Sequence, residues 1–155
     1  MAGRLEGEQT AFNHVGICVT DLERSKRFYE EVLQFRHWWE LEPPDEGTEQ
    51  VLQIPPPLGL KAVFMVRDGL VLELLHYREA TPIPFRERVM NEPGLTHLSI
   101  AVGDLAAVIA KVGPHGGQVI EATNVSAAVM IRDPDGQLIE LSSSDWRDVA
   151  PPRPE

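Results

Sequence analysis

Four side chains in this sequence have the right chemistry and spacing to act together. His14 opens the run His14-Val15-Gly16-Ile17-Cys18-Val19-Thr20-Asp21-Leu22. His97 opens His97-Leu98-Ser99-Ile100-Ala101-Val102-Gly103-Asp104-Leu105, with His, Ile, Val, Asp and Leu recurring at a constant offset of 83 residues. A second echo follows each run. Glu73 lies in Asp68-Gly69-Leu70-Val71-Leu72-Glu73-Leu74 and Glu140 in Asp135-Gly136-Gln137-Leu138-Ile139-Glu140-Leu141. Two imidazoles and two carboxylates suit a borderline or hard divalent ion: Zn, Ni, Co, Mn or Fe(II). The set contains no thiolate, which argues against a closed structural zinc site. Two carboxylates neutralise a dication and leave room for water or a substrate oxygen. The corresponding chemistry is Lewis-acid catalysis on a substrate with a carbonyl or hydroxyl oxygen, whose neighbouring C–H becomes acidic. A carboxylate then moves the proton, with Glu140 the first candidate and Glu73 the second.

Each residue also has a plainer reading. A single strand histidine is ordinarily a core or rim residue. A single glutamate among apolar neighbours, as in Val71-Leu72-Glu73-Leu74-Leu75, either faces solvent or costs several kcal/mol to bury unpaired. The repetition favours a shared site, because both His and Glu recur at matching points of two units. His37, His76 and His115 fall outside the pattern. His115 reads as solvated and His76 as structural. Cys18 reads as small wall packing. For Trp38 and Trp39 core packing is the default.

The elements that must position these residues follow from periodicity. Phe12 to Val19 alternates as a strand, with His14, Gly16 and Cys18 on one face and Val15, Ile17 and Val19 on the other. Thr20 with Glu23 forms a capping-box pattern before a helix bearing Leu22, Phe28, Tyr29, Val32 and Leu33. Phe35 to Leu41 reads as a strand, Glu42 to Thr48 as a loop, and Glu49 to Ile54 as a strand stopped by three prolines. Lys61 to Val66 and Leu70 to Tyr77 form a hairpin around Arg67-Asp68-Gly69. The second unit repeats this plan. Thr96 to Val102 is a strand, and Asp104 caps a helix bearing Leu105, Val108, Ile109 and Val112. Gln118 to Glu121, Ser126 to Arg132 and Gln137 to Ser142 are strands, the last two joined by the turn Asp133-Pro134-Asp135-Gly136. Phe85 to Met90 reads as a short helix in the connector. The predicted class is α+β, a strand, a helix and several strands stated twice. Residues 1–10 form a lead-in, 11–79 a first module, 80–94 a connector, 95–144 a second module and 145–155 a polar tail, the modules sharing one domain over 11–144.

Composition excludes several function classes. The chain has 155 residues and a formal net charge of −10, which argues against a nucleic-acid footprint. No apolar run approaches the roughly 20 residues that span a bilayer. The only cysteine is Cys18, so no intramolecular disulfide forms. The polar, acidic first residues lack a signal-peptide pattern, and the expected location is cytoplasmic.

With these motifs in place, the chain resembles the vicinal oxygen chelate superfamily, which includes glyoxalase I, methylmalonyl-CoA epimerase, extradiol dioxygenases, fosfomycin-resistance enzymes and bleomycin-resistance proteins. The resemblance runs from about Phe12 to Ser142. It rests on Asn13-His14-Val15-Gly16-Ile17, Asp21-Leu22 with Phe28-Tyr29, Leu95-Thr96-His97-Leu98, and Asp133-Pro134-Asp135-Gly136 leading to Glu140. It implies two βαβββ modules pairing to a half-open mixed β barrel around one divalent metal, with His14, Glu73, His97 and Glu140 as ligands. Such barrels are built within one chain or by exchange of modules in a homodimer, and the connector is long enough for either. The glutathione-dependent glyoxalases resembled here carry Arg shortly after the first His and Asn shortly after the first Glu. Val15-Gly16-Ile17-Cys18 and Leu74-Leu75-His76-Tyr77 stand in those places, which implies a substrate other than glutathione. The connector looks like that of the epimerases, although these place Gln where Glu73 stands.

The reading is a metal-dependent lyase or isomerase, epimerases included, that stabilises an enolate or enediolate of a small oxygenated substrate. Two alternatives remain. One is an Fe(II) ring-cleaving dioxygenase with His14, His97 and Glu140 as its triad. The other is a metal-free drug-sequestering protein of the bleomycin-resistance type, its groove lined by the tryptophans and Phe64.

Overall fold

The alternating apolar residues of each unit bury one face of a sheet under a helix and leave the other face open. A computed structural model describes residues 6–83, 85–87, 89–143, 148 and 151. The first module comprises β1 (Val15–Cys18), α1 (Leu22–Glu31), β2 (Arg36–Leu41), α2 (Asp45–Leu52), β3 (Leu60–Arg67) and β4 (Leu70–Tyr77). The second comprises β5 (Leu98–Ala101), α3 (Leu105–Val112), β6 (Gln118–Val119), β7 (Ala128–Arg132) and β8 (Leu138–Ser142). Strand order is β1-β4-β3-β2 in one sheet and β5-β8-β7-β6 in the other, so the modules share one topology. In both, the His-bearing segment leads into an edge strand that pairs parallel to the Glu-bearing strand, β1 with β4 and β5 with β8. The class is α+β with two βαβββ modules, and the two sheets are not closed into a barrel.

The helix faces merge into one core. Ile17, Val19, Phe28, Tyr29, Leu33, Val63, Met65, Leu72 and Leu74 from the first module pack with Val112, Ile131, Ile139 and Leu141 from the second. Period-two alternation then decides where the chemistry lies. Leu72 and Leu74 are buried in the core, so Glu73 between them points to the opposite face; Ile139 and Leu141 do the same for Glu140. Polar bonds join the modules beside this core. The Tyr29 hydroxyl donates to Asp133 Oδ2 at 2.9 Å, and Ser25 Oγ donates to Asp135 Oδ2 at 3.1 Å. The Arg24 guanidinium pairs with Asp135 Oδ1 at 2.9 Å.

Several local expectations are corrected. The segment read as a loop and then a strand, residues 42–54, instead contains α2. Pro44 lies just before it, Asp45 and Glu46 fill its first turn, and Gln53 ends it in the left-handed region. Pro44 has a fixed φ that suits a helix start, and the two acids complement the positive end of the helix. A kink at Glu46–Gly47 divides it. Asp21, not Thr20, caps α1 by accepting from the Arg24 backbone N–H. Thr20 Oγ1 bonds to Asp135 instead. The first strand starts at Val15 rather than Phe12, and β6 is confined to Gln118–Val119 because a 3₁₀ turn, Glu121–Thr123, follows. The described part of the connector contains no helix at 85–90, where Arg88 lies outside the described residues. Trp38 and Trp39 lie on an exposed strand, not in the core. The ends of the lead-in and tail, residues 1–5 and most of 144–155, are outside the described residues.

Candidate active site

β1 and β4 bring the first two predicted ligands together. Gly16 is the Cα partner of Glu73, and His14, two residues earlier, projects from the same face. His14 Nε2 lies 3.1 Å from Glu73 Oε2. The second pair is built in the same way. Ser99 is the Cα partner of Glu140, and His97 Nε2 lies 3.9 Å from Glu140 Oε2. All four side chains are partly buried on the open faces of their sheets. The structure therefore brings the predicted residues together as two pairs, one on each sheet. Among the described residues, no three His, Cys, Asp or Glu side chains converge on one point.

The first pair has donors that would suit a divalent ion, and its 3.1 Å separation is also that of a direct His–carboxylate hydrogen bond. The donors are an imidazole nitrogen and a carboxylate oxygen, both suited to the ions named above. Burial pushes the Glu73 carboxyl above its ordinary range, opposed by the adjacent imidazole. Its charged form is thus short of solvation, a deficit that a cation would meet. The second pair is wider, and Glu140 has a fixed partner: Ser99 Oγ donates to Glu140 Oε2 at 2.6 Å. Ser99 was legible only as a small cavity-face residue, although its position two residues after His97 places it beside Glu140.

The cross-strand rows show a second feature. In the first sheet Gly16, Glu73, Phe64 and Trp39 are successive partners across four strands. Trp39 stacks on Phe64 with centroids 4.4 Å apart and planes 6° from parallel, while His14 meets Phe64 edge-on at 5.7 Å. In the second sheet the row is Ser99, Glu140 and Met130, continued by Ile120, whose N–H donates to the Met130 carbonyl.

The remaining candidates have other partners. His76 Nδ1 contacts the Val19 carbonyl at 3.3 Å, and His115 Nδ1 contacts that of Lys111 at 2.8 Å. Cys18 is exposed at the surface, but partial burial of its sulfur, and then the charge of Asp135, raise its thiol above the usual range, so it is no activated nucleophile. It lines a cavity of about 920 Å³ between the start of α1, the connector and the Asp133–Gly136 turn. That cavity contains none of the four predicted ligands, and its acids Asp133 and Asp135 are already hydrogen-bonded to Tyr29, Arg24 and Ser25. The paired histidines and glutamates, not this cavity, define the candidate site.

This fold and these pairs define a class. The chain belongs to the Glyoxalase/Bleomycin resistance protein/Dioxygenase superfamily, whose model matches residues 11–141. Mitochondrial methylmalonyl-CoA epimerase of Mus musculus is 27% identical over 148 residues, covering 85% of this chain and 72% of the relative. Glyoxylase I 4 of Arabidopsis thaliana is 22% identical over 147 residues, covering 92% of this chain and 75% of the relative. Among solved structures, a glyoxalase family protein from Bacillus cereus matches with a TM-score of 0.72 at 19% identity, over 90% of this chain and 97% of that one. The fosfomycin resistance protein FosX of Listeria monocytogenes, in complex with Mn(II) and sulfate, matches with a TM-score of 0.62 at 13% identity, over 92% of this chain and 99% of that one. Relatives in this family include enzymes, and no helix among the described residues is long and apolar enough to cross a membrane.

Proposed function

We propose that this chain is a metal-dependent enzyme of isomerase, epimerase or lyase type that stabilises an enolate or enediolate of a small oxygenated substrate other than a glutathione adduct. The observation that carries this reading is the matched pair of His–Glu contacts at equivalent register in two sheets, 3.1 Å and 3.9 Å apart. His14, Glu73, His97 and Glu140 would hold one divalent ion, which supplies Lewis acidity toward a substrate oxygen. Glu140, bonded to Ser99, and Glu73 would take and return a proton at the carbon beside that oxygen.

Because the pairs lie on separate sheets whose helix faces share one core, each is half of a site. A second copy of the chain would complete it, placing the open face of one first module against the open face of the partner's second module. Exposed Phe12, Ile83, Phe85, Val89 and Met90 supply apolar surface for such an assembly.

The test is solvent deuterium uptake into 2-oxo thiohemiacetals, acyl-CoA esters and 2-hydroxy acids by metal-loaded protein. Metal-dependent exchange that Glu73→Gln and Glu140→Gln abolish is the expected result. Absence of metal-dependent exchange in all of them would overturn the reading.

A further inference from the structure

Two equivalent half-sites differ in what flanks their carboxylates, and the difference bears on the substrate. Beside Glu140 the row continues with Met130 and Ile120, both aliphatic in shape. Beside Glu73 it continues with Phe64 and Trp39, two rings stacked nearly parallel. Phe64 is almost covered, at 7% exposure, between the His14 edge and the Trp39 face, whereas Trp39 remains 40% exposed. Phe64 is thus the support and Trp39 the accessible surface.

The backbone is shaped to present that surface. β2 and β3 pair His37 with Met65 and then Trp39 with Phe64, so Trp38 is the extra residue of a β-bulge. Without the bulge Trp38 would stand opposite Phe64 and Trp39 would fall to the other face. A bulge costs a regular ladder bond and re-aims a side chain. Here it turns an indole onto the face that carries His14 and Glu73. Trp38 lies edge-on to Trp39, with centroids 6.1 Å apart.

We propose that Trp39 is a binding surface for a planar aromatic substituent of the substrate, so that the preferred class is aryl-substituted 2-hydroxy or 2-oxo acids and their esters. The proposal rests on the enolate reading for the position of the substrate oxygens at His14 and Glu73. The two strand spacings from β4 to β2 set Trp39 roughly 10 Å from Glu73 along the sheet. A ring close to the chelating oxygens covers part of that gap, and the indole, stacked over Phe64, reaches in from the other side. Offset or edge contacts with the indole reward a flat, apolar group and not a charged one. The sequence adds no long-range attraction for an extended anion, since the net charge is −10.

The experiment compares mandelate with lactate, which share the chelating hydroxy-carboxylate and differ by the ring. Calorimetric titration of the full chain with its bound metal gives affinities, and loss of the α-deuterium label into water gives exchange. Mandelate is expected to bind about tenfold or more tightly than lactate. Trp39→Leu, which keeps an apolar side chain but no ring, and Trp39→Ala should reduce that ratio to within about twofold. Trp39→Phe should retain most of it. Equal affinities in the wild type, failure of both acids to bind, or a ratio unchanged in Trp39→Leu would each overturn the proposal. A ring preference without exchange of either acid would leave the Trp39 surface standing and count against the enolate reading. Exchange without a ring preference would do the reverse.

Discussion

Glu73 and Glu140 occupy the same position in two different sheets but face different neighbours: Gly16 stands opposite the first and Ser99 opposite the second. The hydroxyl of Ser99 holds Glu140 at 2.6 Å. Gly16 offers Glu73 no side chain, and a Cβ added there would come within 3.5 Å of Glu73 Oε2. Glu140 is therefore held by a serine hydroxyl on the neighbouring strand, whereas Glu73 has the His14 imidazole as its partner.

Removing that hydroxyl should weaken metal binding more than it weakens the fold. Partners that orient metal ligands typically contribute about 10- to 100-fold in affinity. Ser99→Ala is expected to lose about tenfold or more in affinity for Mn or Zn by competitive chelator titration, with an unchanged melting temperature. Ser99→Thr, which keeps the hydroxyl, should recover most of the loss. Unchanged affinity in Ser99→Ala would show that the Ser99–Glu140 bond plays no part in holding an ion.

If each site takes His14 and Glu73 from one copy and His97 and Glu140 from another, two inactive variants should complement. Glu73→Gln and Glu140→Gln each spoil both sites of a homodimer. In a mixed dimer the two lesions fall in one site and the other remains intact. Equal co-expression should restore roughly a quarter of wild-type activity, since half of the dimers are mixed and each has one good site. A mixture as inactive as its parents would place the whole site within one chain.

Much of this arrangement was legible in the sequence because it repeats. The offset shared by His14 and His97 and the paired Asp-Gly hairpins located both His–Glu pairs. Alternation placed them on the faces away from Leu72, Leu74, Ile139 and Leu141. α2 escaped because Glu49 to Ile54 alternates over too few residues to separate strand from helix, and the deciding signal was Pro44 with Asp45 and Glu46 upstream. The sequence grouped the tryptophans with Phe64 as a groove, but not the parallel stack of Trp39 on Phe64, because the residues belong to different strands. Their register depends on a bulge at Trp38, which single-strand periodicity does not show. Tyr29 and Asp133 are separated by 104 residues, and nothing local announces that one will satisfy the other.

That last pair makes a pH-dependent prediction. Tyr29 is fully buried, and burial followed by the adjacent Asp133 raises its hydroxyl well above the usual phenol range. A group whose pKa is raised by folding stabilises the fold below its unfolded pKa. That stability is lost as pH climbs through the higher folded value. Wild-type stability should therefore decline above about pH 10, and the part due to Tyr29 should be missing in Tyr29→Phe. At neutral pH the same substitution leaves Asp133 Oδ2 without its hydroxyl donor and is expected to cost about 2 kcal/mol in urea unfolding. A parallel decline above pH 10 in both proteins would assign the effect to other groups.

The sharpest test of how the modules are joined is Gly117, between β6 and the turn that follows α3. A Cβ there would lie 2.6 Å from Phe28 Cε2, 2.7 Å from the Arg132 carbonyl oxygen and 2.9 Å from Val112 Cγ1. Side chains can shift, but the carbonyl belongs to β7 and moves only if the strand moves. Phe28 comes from α1 of the first module, so the clash falls on the junction between the two halves of the core. Overpacking of this kind costs typically 1–3 kcal/mol. Gly117→Ala is expected to lower the melting temperature by several degrees, roughly 2–4 °C per kcal/mol for a domain of this size. Gly103→Ala is the control, because nothing lies within 4 Å of a Cβ at that position, and it should leave the melting temperature unchanged. Equal melting temperatures for the two variants would mean that the junction at Phe28, Val112 and the Arg132 carbonyl takes up a methyl group without loss.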